Sequence, residues 1–333
     1  MRLVSHRWDI EPGPLGHLNR LVGHLTGVQP GLSVLNRDDT LPRVVVIKGR
    51  SPATGCGVQL EEAVMGMLHR SVERHARLTY TCFTERGTAE EMAALYGQHH
   101  VLPVDGHQEC DWTQSVDVAT GDPYWVPLEV AVAGPPTGTA ARTAPGQALR
   151  AALFDLVQGH VATEHWYSGE TAPQVALDAR TPALGRVLAR DVPVQAAVRF
   201  HRLGGERLGV HVVAGVLEHA SATAVGLGTG TVLETAMYRA YLAANAADPV
   251  RPEHLGGRLA PGHRVPASEL PPDRAASPER ELRAVTDRVL DGRARLTLLD
   301  LTGPEIADLG FHVYRFLSAD LFPVRAEGPP PYL

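Results

Sequence analysis

The chain has 333 residues, 44% apolar and 20% charged, with a formal net charge of −6. This composition excludes a disordered chain, a collagen and a coiled-coil rod, and it predicts a compact protein with a sizeable buried core. Because the balance is acidic and no run of about 18 apolar residues occurs, we expect no nucleic-acid partner and no membrane association.

Apolar residues recur with a period of two in some segments and of three to four in others, which predicts strands and helices respectively. In chain order, the predicted elements are a strand at 43–48, a helix at 61–80, a strand at 124–133, a helix at 145–163, strands at 194–200 and 208–217, helices at 232–246 and 278–291, and strands at 295–301 and 312–317. The predicted fold class is therefore α/β, in the mixed α+β sense.

Proline interrupts two further regions of the chain. The stretch at 248–280 has too many prolines for a long helix or a central strand, so we predict an extended loop there. The last seven residues, EGPPPYL from Glu327, predict a tail in polyproline II geometry.

A glycine-bearing segment precedes a helix with small residues at three places, and we predict a turn before each helix. The three segments begin at Gly55, Gly138 and Gly226. Alanines four residues apart, such as Ala236 and Ala240, share one helix face and would let that helix pack closely against another element.

The chain has three cysteines, which is an odd number: Cys56, Cys82 and Cys110. The first residues show no apolar segment of the signal-peptide type. We therefore predict reduced thiols and a cytoplasmic protein.

Two local patterns partly match the sequence signatures of a dinucleotide-binding loop and a zinc site, but neither signature is complete. The run GLGTG at 226–230 is an incomplete dinucleotide fingerprint. Four residues of types that zinc accepts lie within 12 positions, but no second ligand pair follows them. They are His99, His100, His107 and Cys110.

The first two glycine-helix segments resemble the YcaO family. The segment GVQLEEAVMGMLHRSVER at 57–74 is similar, without a gap, to that family's glycine loop and E-x-x-E-R helix. TGTAA at 137–141 and ALFDLVQGHV at 152–161 look like its T-N-G-x-A-A-G loop and A-L-x-E-x-I-E-R-D-A helix. The resemblance implies an N-terminal extension at 1–43 and a single YcaO-like domain at 44–333, with glycine-turn and helix recurrences packed on mixed sheets.

Further segments extend the resemblance toward the end of the chain. DVATGDPYWVP at 117–127 looks like a strand-turn-strand of the family, and 226–243 is similar to its third glycine-helix segment. The residues from Asp300 to Arg315 resemble its "DlT…lG..VvRv" ending.

Membership of this family implies that the protein binds ATP and Mg²⁺ and phosphorylates a backbone amide oxygen of a peptide. The implied products are an azoline, an amidine or a thioamide in a ribosomally synthesised peptide natural product. The implied partners are a precursor peptide and a protein that binds its leader segment, and the implied oligomer is a homodimer.

The resemblance also assigns candidate site residues, without naming a catalytic one. The candidate metal ligands are Glu73 and Asp155. The candidate nucleotide-binding residues are Gly55, Gly57, Arg70, Arg74, Gly138, Gln158 and Arg315.

The sequence departs from the family pattern where the pattern has acids. Several magnesium ions bridging a triphosphate call for carboxylates three apart on a helix face. Here Arg70 and Gln158 stand at two of the four expected acidic positions, and Ala243 stands where a third helix often has a glutamate. Thr137 and Arg142 replace an asparagine and a glycine of the pattern.

Arg70 either binds a phosphate or pairs with Glu73. Two functional hypotheses follow from these departures. The protein is either a divergent enzyme that holds a single magnesium ion, or a catalytically inactive subunit that binds precursor peptide or scaffolds an active partner.

Overall fold

A computed structural model of the chain describes residues 4–7, 33–36, 45–48, 53–103, 108–133, 137–191, 197–219, 222–247, 258–260 and 262–321. The chain divides into two compact units. The first unit comprises residues 1–71, 158–277 and 325–333, and the second comprises residues 72–157 and 278–324. The predicted single domain at 44–333 stays a prediction, and most of the extension at 1–43 and the whole tail lie outside the described residues.

In chain order, the strands are β1 (Val4–Arg7), β2 (Ser33–Asn36), β3 (Val45–Lys48), β4 (Thr54–Gly57), β5 (Thr84–Gly87), β6 (Cys110–Asp117), β7 (Pro123–Pro127), β8 (Thr139–Arg142), β9 (Gln174–Ala176), β10 (Ala197–Gly204), β11 (His211–His219), β12 (Ala222–Gly230), β13 (Arg264–Pro266), β14 (Thr297–Asp300) and β15 (His312–Leu317). The helices are α1 (Leu60–Thr79), α2 (Ala89–Tyr96), α3 (Pro145–Ser168), α4 (Pro182–Asp191), α5 (Leu233–Ala246), α6 (Pro278–Asp291) and α7 (Pro304–Asp308).

The first unit contains two sheets. One is antiparallel and follows chain order from β1 to β4. The other has the order β12-β11-β10-β9-β13, in which only the β9–β13 pair is parallel. Helix α5 packs on this second sheet through fully buried side chains that include Met237 and Tyr241. Each such side chain contributes about 1.5–3 kcal/mol of burial free energy.

The second unit contains one sheet of six strands. Its order is β5-β6-β14-β15-β8, and β7 also pairs with β6. Trp112, Trp125 and Met92 form a buried cluster between this sheet and α2. Helix α2 begins with a capping box, because Thr88 and Glu91 satisfy each other's backbone N–H groups.

The predicted helices at 61–80, 145–163, 232–246 and 278–291 are confirmed as α1, α3, α5 and α6. The predicted strand at 312–317 is confirmed with the same bounds. The prediction of a strand at 124–133 is wrong in its second half: β7 ends at Pro127, and Glu129–Ala133 forms a π-helix. Pro127 ends the strand because its ring nitrogen has no proton to donate.

The glycines before α1 and α5 were predicted to lie in turns, and this placement is wrong, because they lie in strands. Gly226, Gly228 and Gly230 lie in β12, and Gly55 and Gly57 lie in β4. A Cβ on Gly226 would lie 2.0 Å from the backbone nitrogen of Ala244, and one on Gly228 would lie 2.1 Å from the carbonyl oxygen of Ala236. The missing side chains therefore let α5 rest directly on the strand.

The predicted loop at 248–280 is described at 258–260 and 262–280, and the rest of it lies outside the described residues. The described part contains β13 and no α-helix before α6 begins at Pro278. Arg180 holds this segment by donating to the carbonyl oxygens of Ala267, Leu270 and Pro271 at 2.6–2.9 Å.

A buried histidine lies beside this segment. His211, 3% exposed, places Nε2 3.5 Å from Oδ1 of Asp273. Asp273 in turn accepts from Arg180 and from the backbone N–H of Leu233, where α5 begins. Burial lowers the pKa of His211 from its ordinary 6.5 to about 4; the carboxylate of Asp273 opposes the shift, and three arginines add to it. They are Arg180, Arg202 and Arg274.

Among the described residues, no helix has both the length and the apolar character that crossing a membrane requires.

Candidate functional site

The two glycines that precede α1 are packing residues in this structure. A Cβ on Gly55 would lie 1.9 Å from the carbonyl oxygen of Ala63, and one on Gly57 would lie 2.7 Å from the Glu62 side chain. Glu62 Oε2 accepts from the backbone N–H of Val58 at 3.0 Å and from the hydroxyl of Tyr238 at 2.8 Å. These contacts fix the β4–α1 turn against α5, and nucleotide binding by Gly55 and Gly57 stays a prediction.

Glu73 lies on α1 in the second unit, between two exposed arginines of the same helix, Arg70 and Arg74. Its side chain is 21% exposed, and Oε1 accepts from the backbone N–H of Ala141 at 2.9 Å. The guanidinium of Arg142 lies 3.5 Å from the same oxygen. The ion pair that the structure gives Glu73 is therefore with Arg142, rather than with Arg70 one turn away.

Asp155 lies on α3, also in the second unit. Its Oδ2 accepts from the backbone N–H of Gly138 at 2.7 Å. Gly138 has φ +83°, which favours glycine, and a Cβ there would lie 2.4 Å from the carbonyl oxygen of Phe316. The glycine thus allows the segment before β8 to meet both β15 and the Asp155 carboxylate.

The segment from 137 to 142 therefore binds both candidate metal ligands through its backbone. Gly138 donates to Asp155, and Ala141 donates to Glu73. These two hydrogen bonds hold both carboxylates in a fixed position relative to the segment. The structure brings these two residues to one short segment, and their role as metal ligands stays a prediction.

Two arginines lie near these carboxylates and hold the π-helix Glu129–Ala133. Arg315, 2% exposed, donates to the carbonyl oxygen of Ala131 at 2.9 Å, and Arg77 donates to that of Val132 at 3.0 Å. Burial, together with the positive charge of Arg77, lowers the pKa of Arg315 to about 10, while Asp155 opposes the shift. Burial also lowers the pKa of Arg77, and the charge of Glu73 opposes that shift. Both guanidinium groups remain positively charged at neutral pH.

Gln158 belongs to the first unit, although it lies one turn after Asp155 on α3. Its side-chain oxygen accepts from the hydroxyl of Thr229 at 2.9 Å. Arg239 on α5 donates to the carbonyl oxygen of the same threonine at 2.6 Å. Gln158 is thus an interior hydrogen-bonding residue of this unit, and its role toward a nucleotide stays a prediction.

Two carboxylates form the set of oxygen donors that this part of the chain offers to Mg²⁺. Glu73 and Asp155 supply the carboxylate oxygens that this ion prefers. Within the described parts of the chain, no group of three or more acidic, histidine or cysteine side chains is placed to hold a metal ion. One oxygen of Glu73 already faces Arg142, which lowers the net negative charge that the pair offers. The described residues therefore offer ligands for at most one magnesium ion.

Sequence reasoning missed Arg77 and recorded Arg142 only as a departure from a pattern. Arg77 follows Glu73 by four residues on α1, so helical spacing alone could have placed the two side chains together. The contact between Glu73 and residues 141–142 had no comparable local signal, because 68 residues separate Glu73 from Ala141.

A family model described as a YcaO cyclodehydratase that binds ATP and Mg²⁺ matches residues 55–251. A comparison with curated proteins finds no significant match.

Several solved structures share the fold. A YcaO protein from Methanopyrus kandleri, solved with AMPPCP and Mg²⁺, is 21% identical, with a TM-score of 0.68 over 84% of this chain and 82% of that one. A heterocyclase in complex with substrate and cofactor is 16% identical, with a TM-score of 0.69 over 96% of this chain but only 54% of the heterocyclase. A chain of the E. coli microcin synthetase McbBCD complex is 11% identical, with a TM-score of 0.59 over 96% of this chain and 91% of that one.

Proposed function

Because this chain belongs to the YcaO family, we propose that it uses ATP with a single magnesium ion to activate a backbone amide of a ribosomally synthesised peptide. The observation that carries this proposal is the shared anchoring of two carboxylates on the segment from 137 to 142. Glu73 and Asp155 each accept a backbone N–H of that segment. Ligands fixed in this way lose little conformational freedom when they bind a cation.

Within this proposal, Glu73 and Asp155 hold the magnesium ion with their carboxylate oxygens. If bound there, magnesium ATP would supply its γ-phosphoryl group to the amide oxygen and be released as ADP, and the oxygen could then leave as phosphate. Arg315 and Arg77 hold the π-helix that precedes the segment from 137 to 142, and their charges balance those of the carboxylates. Arg70 and Arg74 are exposed on α1 and are the proposed phosphate contacts.

The proposed substrate is a precursor peptide, and the proposed product is an azoline, an amidine or a thioamide. The neighbours support this class, since one is a heterocyclase solved with its substrate and another is a microcin synthetase complex solved with pro-MccB17 bound. We further propose a cytoplasmic homodimer that works with a leader-binding partner protein. The McbBCD complex, which contains several proteins, supports a partner of this kind.

A second candidate is a non-catalytic subunit that binds precursor peptide or scaffolds an active enzyme. Arg142 favours it, because its guanidinium occupies a position 3.5 Å from a carboxylate that the first candidate needs for magnesium. Loss of nucleotide binding distinguishes this candidate from the first.

The deciding measurement is a thermal-unfolding titration with ATP, with and without Mg²⁺. Under the first candidate, ATP at 100 times its dissociation constant stabilises the protein by about 2.7 kcal/mol, and only when magnesium is present. The double variant Glu73→Gln, Asp155→Asn should lose this stabilisation, because the amide oxygens still accept the two backbone N–H bonds while the negative charges are gone. A matched control, Asp287→Asn on the exposed face of α6, should keep it.

Two results count against the first candidate. If millimolar ATP gives no magnesium-dependent shift in the wild-type protein, the non-catalytic subunit becomes the better explanation. If the double variant responds to magnesium ATP like the wild type, then nucleotide binds elsewhere and the assigned residues are wrong.

Arg142 gives a separate test of the single-ion site. Arg142→Gly removes the cation 3.5 Å from Glu73, so we expect the dissociation constant of magnesium ATP to fall by about tenfold, or about 1.4 kcal/mol. Isothermal titration calorimetry measures this constant, and Arg142→Lys, which keeps the positive charge, should change it little. Weaker binding by Arg142→Gly would mean instead that Arg142 contacts a phosphate.

A further inference from the structure

Aromatic side chains are exposed on one face of the six-stranded sheet in the second unit. Phe83, just before β5, is 72% exposed, and Tyr96, the last residue of α2, is 36% exposed. The rings of Phe83 and Tyr96 lie 6.5 and 4.8 Å from that of Trp125 on β7. We call Phe83, Tyr96 and Trp125 the aromatic patch.

The buried core beneath the aromatic patch is formed without the side chains of Phe83 and Tyr96. Trp125 is 4% exposed and packs with Met92 and Trp112, both almost fully buried. Phe83 and Tyr96 lie above this cluster and leave ring surface in water. Leu95, 70% exposed, adds a further apolar side chain next to Tyr96 on α2. Contiguous exposed apolar surface of this kind marks a site of interaction.

An acidic side chain contacts the aromatic patch, and two more lie in the first turn of α2. Glu85 Oε1 accepts from the hydroxyl of Tyr96 at 2.8 Å, and this bond raises the pKa of that tyrosine. Glu90 and Glu91 are exposed on α2. The only basic residue between positions 83 and 96 is Arg86, which follows Glu85 in β5 and therefore points to the opposite face of the sheet, where it pairs with Glu109 at 3.5 Å.

We propose that the aromatic patch binds a basic peptide segment of a partner and that an arginine of this segment is the anchor. A guanidinium stacks on aromatic rings and pairs with carboxylates, and the aromatic patch with Glu85 presents both groups. A second copy of this chain is a poor occupant, because a two-fold interface through the aromatic patch would bury Glu85 of both copies together, and no basic residue of the patch would pair with them. The aromatic patch shares no residue with the proposed nucleotide and metal ligands.

The test uses a fluorescein-labelled synthetic peptide of alternating leucine and arginine, with binding followed by fluorescence anisotropy at low salt. The peptide should bind the full-length protein, and binding should weaken as salt rises, since screening acts on exposed charges. Phe83→Ser should weaken binding at least tenfold, and Glu90→Lys about threefold or more. The matched controls Leu177→Ser and Asp287→Lys change exposed residues elsewhere and should bind as the wild type does.

A peptide with glutamate in place of arginine should not bind, and one with lysine should bind more weakly, because lysine stacks less well on aromatic rings. Equal binding of the arginine and glutamate peptides, or unchanged affinity in Phe83→Ser, overturns the proposal. Sedimentation velocity gives a third check: a wild-type dimer that dissociates in Phe83→Ser would assign the aromatic patch to a second copy and overturn it as well. Magnesium ATP binding of Phe83→Ser, measured in parallel, reports on the nucleotide site alone.

Discussion

Gly226→Ala is expected to destabilise the protein by more than about 3 kcal/mol, which is a large fraction of the roughly 5–15 kcal/mol by which proteins are typically stable. The added Cβ would lie 2.0 Å from the backbone nitrogen of Ala244 and 2.4 Å from the carbonyl carbon of Ala243. Neither atom belongs to a side chain that can rotate away. Helix α5 would have to move off β12 and expose Met237 and its other buried residues.

Gly185→Ala is the matched control for this prediction. Gly185 lies in α4, and a Cβ added there meets no atom within 4 Å. Alanine in a helix is more favourable than glycine by about 1 kcal/mol, so this variant should be as stable as the wild type or more so. Urea unfolding followed by circular dichroism measures both changes. A Gly226→Ala protein as stable as the wild type would contradict the close packing of α5 on β12.

Acidification should destabilise the protein by about 3 kcal/mol through His211 alone. The unfolded chain protonates this histidine near its ordinary pKa of 6.5, but burial lowers the folded pKa to about 4. Between these two values the unfolded state binds more protons than the folded state, so the free energy of unfolding falls as the pH drops from 6.5 to 4. Above pH 6.5 the histidine is neutral in both states and adds no pH dependence.

His211→Gln should remove this part of the pH dependence, because glutamine does not titrate. Urea unfolding at pH 7.5 and at pH 4.5 gives the free energy of unfolding of each protein. Between these two pH values, the free energy of unfolding should fall by nearly 3 kcal/mol more in the wild type than in the variant, or about 1.36 kcal/mol for each unit of the pKa difference that is crossed. Parallel loss in the two proteins would show that His211 is not the buried neutral group that the structure describes. The variant also loses the contact with Asp273, so the comparison rests on the difference between pH values and not on absolute stability.

The long helices and several strands could be predicted from the sequence because their signals are local. Helix α3 extends from Pro145 to Ser168 and carries apolar residues at three- and four-residue spacing, a pattern that is typical of an α-helix and not of a strand. Strand β15 was predicted with its observed bounds because β-branched and aromatic residues fill its short run.

The parts that could not be predicted depend on contacts between distant residues. The glycines of β12 look like turn residues in the sequence, since only the position of α5 shows why side chains are missing there. The pairing of Arg142 with Glu73 joins two elements far apart in the chain. The π-helix after β7 has its carbonyl oxygens held by Arg77 and Arg315, and no property of residues 129–133 themselves indicates it.

The chain passes from one compact unit to the other four times, and two of these passages fall inside α1 and α3. No single cut in the gene separates the two units, and a cut at either helix would break hydrogen-bonded backbone. Domains that evolve by fusion are normally joined end to end through an exposed linker. Neither unit can therefore be transferred to another protein as a single continuous segment.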